Sequence, residues 1–112
     1  MANSTQVKPW FLYLVQNVQN SLYTGITLDV ARRFAEHQAQ STKTAKALKG
    51  KAPLRLMYAA QLQSHGDALR AEIWVKKQPK KTKLALIAGA QALPFDHIVQ
   101  KLPLPNHQDI AK

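Results

Sequence analysis

The chain contains no cysteine, and only six of its 112 residues are acidic. The first absence excludes disulfides, thiolate nucleophiles and cysteine-ligated zinc. The second limits metal chemistry, because a two-metal nuclease site needs several convergent carboxylates to hold two hard divalent cations. Nothing in the sequence approaches the roughly 18 apolar residues that a bilayer-spanning helix requires, and Met1-Ala2-Asn3-Ser4 lacks the basic flank and apolar core of a secretion signal. A cytoplasmic protein is expected. The four histidines, at positions 37, 65, 97 and 107, show neither the i, i+4 pairing nor the clustered spacing of a structural zinc site. No internal repeat is visible, and the length suits one domain with a modest core.

What the chain has in abundance is positive charge. Sixteen Lys and Arg give a net charge of +10, which favours a polyanionic partner, nucleic acid ahead of an anionic membrane surface. The charge is bunched at Lys43, Lys46, Lys49 and Lys51, and again at Lys76, Lys77, Lys80, Lys81 and Lys83 around Pro79. Such runs are usually solvated faces. Together these two could neutralise several phosphates, giving salt-sensitive and sequence-indifferent binding.

Trp10 to Val15 is apolar and aromatic throughout, as a strand buried on both faces would be, and Asn17 to Asn20 is turn-prone. Leu22 to Ile26 then completes an antiparallel hairpin. Gly25, near its end, marks a bulge or a close approach by another group. Thr27 is placed to cap a helix running to about residue 39, with Asp29 in its first turn and Arg33 and His37 along one edge of the Val30 and Phe34 stripe. Gln38 to Lys51 reads as a mobile basic loop or a short surface helix. Pro53 to Gln63 reads as a third strand, and alternation in its Leu54-Arg55-Leu56-Met57-Tyr58 stretch puts Leu54, Leu56 and Tyr58 on one face. Ser64 and Asp67 open a second helix to about residue 77, Pro79 ends it, and Lys83 to Ala88 forms a third helix stopped by Gly89. These limits give a domain over residues 8–88. Residues 89–112 form a Pro-, Ala- and Gln-rich tail, packed on the domain or trailing from it, with Leu93, Phe95, Ile98 and Val99 able to reach the core.

Six acids can be sorted singly. Asp29 and Asp67 belong to first helical turns, Asp96 and Asp109 to the tail, and Glu36 to the exposed side of its helix. Glu72 alone lies at the edge of an apolar face, sharing it with Ala68 and Val75 and adjoining Leu69 and Ile73. A carboxylate there is costly to desolvate unless it is paired or binds a cation. On residue type and spacing the plainer account is an i, i+4 pair with Lys76. If the protein cleaves phosphodiesters, one magnesium-like ion on a single carboxylate must suffice, with charge stabilisation from Arg and proton transfer by Tyr or His. Tyr13 and Tyr23 taken singly are core or cross-strand aromatics. Arg33 and His37 are equally a solvated helix edge, although Arg offers phosphate a rigid fork and His titrates near neutrality.

In order and spacing these residues resemble the GIY-YIG nuclease family, in particular its small stand-alone bacterial members. Phe11-Leu12-Tyr13 stands at the family's first tripeptide and Tyr23-Thr24-Gly25 at its second. Asp29, Arg33 and His37 follow, then Pro53, Leu56 and Tyr58, then Ala68-Leu69-Arg70-Ala71-Glu72 and Lys76. The resemblance implies an α+β fold in β-β-α-β-α-α order, a three-stranded antiparallel sheet flanked by helices with the site on one sheet face. It further implies that Tyr13 and Tyr23 orient or deprotonate the attacking water, that Arg33 and His37 contact the scissile phosphate, and that Glu72 ligates one Mg²⁺ or Mn²⁺. Gly25 and Tyr58 would be structural at the site. The asparagine that many members carry after the glutamate helix has only Asn106 as a later counterpart here.

The expected function is a metal-dependent DNA endonuclease or structure-selective DNA-processing enzyme, monomeric, with RNA an alternative substrate. The rival is a nucleic-acid-binding module that keeps the fold and the basic surface with little or no turnover. A membrane-surface or ribosome-associated basic protein is a third class, and no amphipathic helix here is basic enough to favour it.

Overall fold

A computed structural model describes residues 8–104. Asn106, His107, Asp109 and the opening Met1-Ala2-Asn3-Ser4 lie outside the described residues. Strands β1 (Trp10–Gln16) and β2 (Leu22–Thr27) pair antiparallel, with Tyr13 opposite Gly25 and Val15 opposite Tyr23. Helix α1 (Val30–Gln38) follows, then a 3₁₀ turn at Lys46–Leu48, strand β3 (Arg55–Leu62), helices α2 (His65–Lys76) and α3 (Lys80–Ala88), and a short strand β4 (His97–Val99). The sheet order is β2-β1-β3-β4 and every pairing is antiparallel.

The sheet thus has four strands where three were expected. The fourth comes from the tail, where His97, Ile98 and Val99 pair along β3, a run too short to show a period. Leu93 and Phe95 of the same segment pack into the core. Among the described residues no helix is long and apolar enough to cross a membrane.

Strand β1 is central and apolar on both faces, so it serves two cores. Leu12 and Leu14 point to the layer of α2 and α3, where they meet Tyr58, Ala60, Leu62, Ala68, Ala71, Val75 and Leu86. Tyr13 and Val15 point to the layer of α1, where they meet Val30, Leu48, Leu54 and Ala59. Helix α2 faces the sheet through Ala68, Ala71 and Val75, small residues that allow close approach, while Leu69 and Ile73 remain exposed rather than forming the apolar face.

Three local expectations change. The cap of α1 is Asp29, whose Oδ1 accepts from Arg32 N at 3.1 Å, while Thr27 accepts from Asp29 N. Asp29, two residues nearer the helix, is better placed to reach the free amides of the first turn. Of the two readings of Gln38 to Lys51, a loop or a short helix, the segment holds a short 3₁₀ helix at Lys46–Leu48, and it is anchored rather than lying on the surface, since Leu48 and Thr44 are buried in it. Finally, Tyr58 does not share a face with Leu54 and Leu56. Leu14 pairs with Tyr58 but Val15 with Leu56, so Met57 is the extra residue of a β-bulge and the alternation reverses across it.

Candidate active site

The α1 face of the hairpin gathers Tyr13, Tyr23, Gly25 and His37. Tyr13 lies flat across Gly25: a Cβ there would stand 2.6 Å from the Tyr13 hydroxyl, so any side chain would have to push the phenol aside. The close approach expected of Gly25 is therefore made by Tyr13. Its hydroxyl lies 3.0 Å from His37 Nε2, and His37 Nδ1 accepts from the Ala45 backbone N–H at 3.2 Å. The Tyr23 ring is tilted against Tyr13 at 6.2 Å between centroids and meets His37 edge-on at 5.8 Å.

Access divides this group. Tyr13 is 1% exposed and His37 is fully enclosed, whereas Tyr23 is half-buried and the Arg33 side chain retains 30% of its exposure. Tyr23 and Arg33 are the members that reach solvent. Both ring nitrogens of His37 are engaged and the residue is buried, so in this structure its polar side-chain contact is Tyr13, and Tyr23 and Arg33 stand nearer to solvent than it does. Burial raises the Tyr13 phenol well above its ordinary value, the adjacent Tyr23 adds to this and the Arg33 guanidinium opposes it. Burial and the Arg33 cation hold the His37 imidazole below its ordinary value, and Glu36 works the other way.

Arg33 Nη1 donates to Glu36 Oε1 at 2.9 Å and to the Lys43 carbonyl at 2.8 Å, so the guanidinium is oriented by its own helix and by the following loop. The hydrogen bond from Arg33 holds the Glu36 carboxyl below the usual carboxylate range. Glu36 was assigned to the exposed side, yet the i, i+3 spacing from Arg33 was a readable signal of this pair.

Glu72 stands apart. Its side chain is 19% exposed and its carboxylate pairs with Lys76 Nζ at 3.2 Å, the pairing that spacing alone suggested. Helix α2 covers β2 and β1 from the face opposite Tyr13, and Glu72 makes no hydrogen bond or ion pair to Tyr13, Tyr23, Arg33 or His37 among the described residues. Tyr58, expected at the site, lies in the α2 layer, moved there by the Met57 bulge. Its hydroxyl and that of Thr24 are buried without a hydrogen-bond partner among the described residues, on one cross-strand row through Leu14. Burial pushes the Tyr58 phenol up to about 12.

The two lysine runs meet at the β1–β2 turn. Val18 N donates to Lys51 O at 2.9 Å and Lys80 Nζ to Asn20 O at 2.6 Å. Lys43, Lys46, Lys49, Lys76, Lys77, Lys80 and Lys81 are exposed and Lys83 is half-buried.

Residues 9–85 match the model of the GIY-YIG catalytic domain. The chain belongs to the GIY-YIG family. Among its relatives, a UPF0213 protein of Cronobacter sakazakii is 51% identical over 86 residues, which is 77% of this chain and 88% of the relative. The UPF0213 protein YhbQ of Salmonella arizonae is 44% identical over 97 residues, covering 87% and 93% of the two chains. A solution NMR structure of a UPF0213 protein from Bacillus halodurans shares 32% identity over 71% of this chain and 83% of that one, with a TM-score of 0.47. As a GIY-YIG domain the protein falls in a nuclease superfamily, whose substrates are nucleic acids.

Proposed function

We propose that this GIY-YIG protein is a DNA endonuclease or structure-selective DNA-processing enzyme that hydrolyses phosphodiester bonds with one divalent metal ion. The observation that carries the reading is the hydrogen-bonded Tyr13–His37 pair, buried behind a solvent-reaching Tyr23 and an oriented Arg33. Tyr23 faces the attacking water and orients it or takes its proton. Arg33, its fork held by Glu36 and the Lys43 carbonyl, stabilises charge on the phosphate oxygens. Water oxygen bonds to phosphorus as the sugar oxygen in line with it departs with the bonding electron pair and is protonated from solvent. Tyr13 and His37 act behind Tyr23 as positioning residues. The exposed lysines on both sides of the β1–β2 turn hold the flanking phosphates.

The donor set suits the metal only in a restricted form. Among the described residues no three of His, Cys, Asp and Glu gather to hold an ion, so an all-protein cage is absent. A single carboxylate, Glu72, suits Mg²⁺ or Mn²⁺ that keeps water and substrate phosphate as its remaining ligands. The ion would supply Lewis-acid polarisation of the phosphate. The Lys76 ion pair must open for Glu72 to serve it.

That same ion pair, with the separation of α2 from the tyrosine face, favours a second reading: a GIY-YIG-fold nucleic-acid binder with little turnover. One experiment separates them. Labelled flap, forked and single-stranded DNA are incubated with the parent and with Glu72→Gln, under magnesium and under chelator, and thermal unfolding is followed as magnesium is titrated. The nuclease reading expects metal-dependent products from the parent, a fall of about 100-fold or more in Glu72→Gln, and a magnesium-dependent rise in parental stability that the variant loses. Salt-sensitive DNA binding with no product from any substrate establishes the binder. A Glu72→Gln protein that cuts as well as the parent removes the metal role.

A further inference from the structure

His37 is held between partners of different kinds. A backbone amide only donates, so the Ala45 N–H bonded to Nδ1 requires a lone pair on that nitrogen, and the single proton of the neutral ring then sits on Nε2. Nε2–H therefore donates to the Tyr13 oxygen 3.0 Å away. Tyr13, accepting from His37, has its own proton left to give onward on the side of Tyr23, whose ring lies 6.2 Å from its own.

We infer that the Ala45 backbone amide is a positioning group for the reaction, because it fixes His37 as the Nε2–H tautomer, a donor to Tyr13 and never its base. The role in cleavage rests on the nuclease reading above; the tautomer does not. With His37 donating, the direction of hydrogen bonding runs from the loop through His37 to Tyr13 and outward. The solvent-reaching Tyr23 is then backed by a hydrogen-bond donor from within rather than by a base that competes for the proton of the attacking water.

The segment bearing Ala45 is anchored as this role requires. Thr44 is buried and its hydroxyl donates to the Glu36 carbonyl at 3.0 Å, with Ser41 Oγ on the same oxygen at 3.3 Å. Gln40 Nε2 donates to the His37 and Leu48 carbonyls at 2.9 and 3.2 Å, and Arg33 holds the Lys43 carbonyl. The fully buried Leu48 pins the far end. These contacts lock the loop to the last turn of α1, the turn that carries His37, so the amide and the ring move as one.

The φ of Ala45 is −57°, a value proline adopts, so Ala45→Pro removes the amide hydrogen without a change of φ, while its ring Cδ takes the hydrogen's place and pushes the imidazole off the amide. Ala45→Ser retains it. Nitrogen-15 NMR of the imidazole reads the tautomer directly. The parent and Ala45→Ser are expected to show His37 protonated at Nε2. Ala45→Pro is expected to show a mixture with the Nδ1–H form and cleavage reduced about tenfold or more. A folded parent whose His37 is the Nδ1–H tautomer, or an imidazolium at neutral pH, overturns the inference without any variant. So does a folded Ala45→Pro protein with an unchanged tautomer and the parental rate. If the parent gives the expected tautomer but cleaves no DNA, the nuclease reading fails, the amide's role in cleavage falls with it, and the tautomer assignment stands.

Discussion

Tyr13 and Tyr58 are both buried, on opposite faces of the same sheet and two strands that pair with each other. Tyr13 is hydrogen-bonded to His37 and lies over Gly25, while the Tyr58 hydroxyl has no hydrogen-bond partner among the described residues. A buried phenol without a partner gives up hydration for nothing in return, whereas one aimed at a buried imidazole is part of a built arrangement. The two layers differ in the same way. The α2 and α3 layer is an apolar core closed by small residues and leucines; the α1 layer embeds a histidine, a guanidinium and a loop amide among its apolar contacts. Burial alone does not tell these two tyrosines apart. The partner does.

The strongest way to break this contrast is Tyr13→Phe, which leaves the buried Nε2–H of His37 without an acceptor. Cleavage is expected to fall about 100-fold or more and stability by about 1–3 kcal/mol, read from product formation and urea unfolding. Parental rates in this variant would place Tyr13 with Tyr58 as a packing residue.

A smaller effect lies in pH. The folded-state pKa of His37 is depressed by burial, so between that value and the ordinary His value of about 6.5 the unfolded chain binds more protons than the folded one. Stability should therefore decline as pH falls below about 6.5, and His37→Gln should flatten that decline. Glu36, whose carboxyl is held low by Arg33, contributes in a separate window: its stabilisation is present above the ordinary carboxylate range and lost as pH falls through its folded value. Urea midpoints from pH 8 to pH 4 would resolve the two. An unchanged slope in His37→Gln would show that the imidazole is not held neutral.

The least disturbance is expected from Tyr58→Phe. Removing a hydroxyl that is buried and unpaired should leave stability within about 1 kcal/mol of the parent or raise it, and leave cleavage unaltered. A large loss would mean that the Tyr58 oxygen has a partner after all.

Much of this was legible in the chain itself. The hairpin followed from apolar runs around Asn17 to Asn20, the cap of α2 from Ser64 and Asp67, and the Glu72–Lys76 pair from its spacing. The reading failed where a tertiary feature interrupts a local rule. Strict alternation put Tyr58 beside Leu56 because nothing in Leu-Met-Tyr signals that Met57 is skipped in pairing. The fourth strand was missed because a three-residue edge has no period to detect, and Leu48 because a lone leucine among lysines carries no pattern. The Ala45 amide was beyond reach in principle: every non-proline residue offers the same backbone donor, and only the fold decides which one meets an imidazole.

The skipped Met57 has one more consequence. It changes the phase of β3: Leu54, just before the strand, and Leu56 read onto the α1 layer, while Tyr58, Ala60 and Leu62 read onto the α2 layer. A one-residue insertion or deletion in a regular strand turns its side chains inside out, but at this bulge it does not. Deleting Met57 would leave Leu56 opposite Val15 and Tyr58 opposite Leu14, adjacent residues on the layers they already occupy. Position 57 is thus the place in β3 where the chain can lose a residue without exchanging its two interiors.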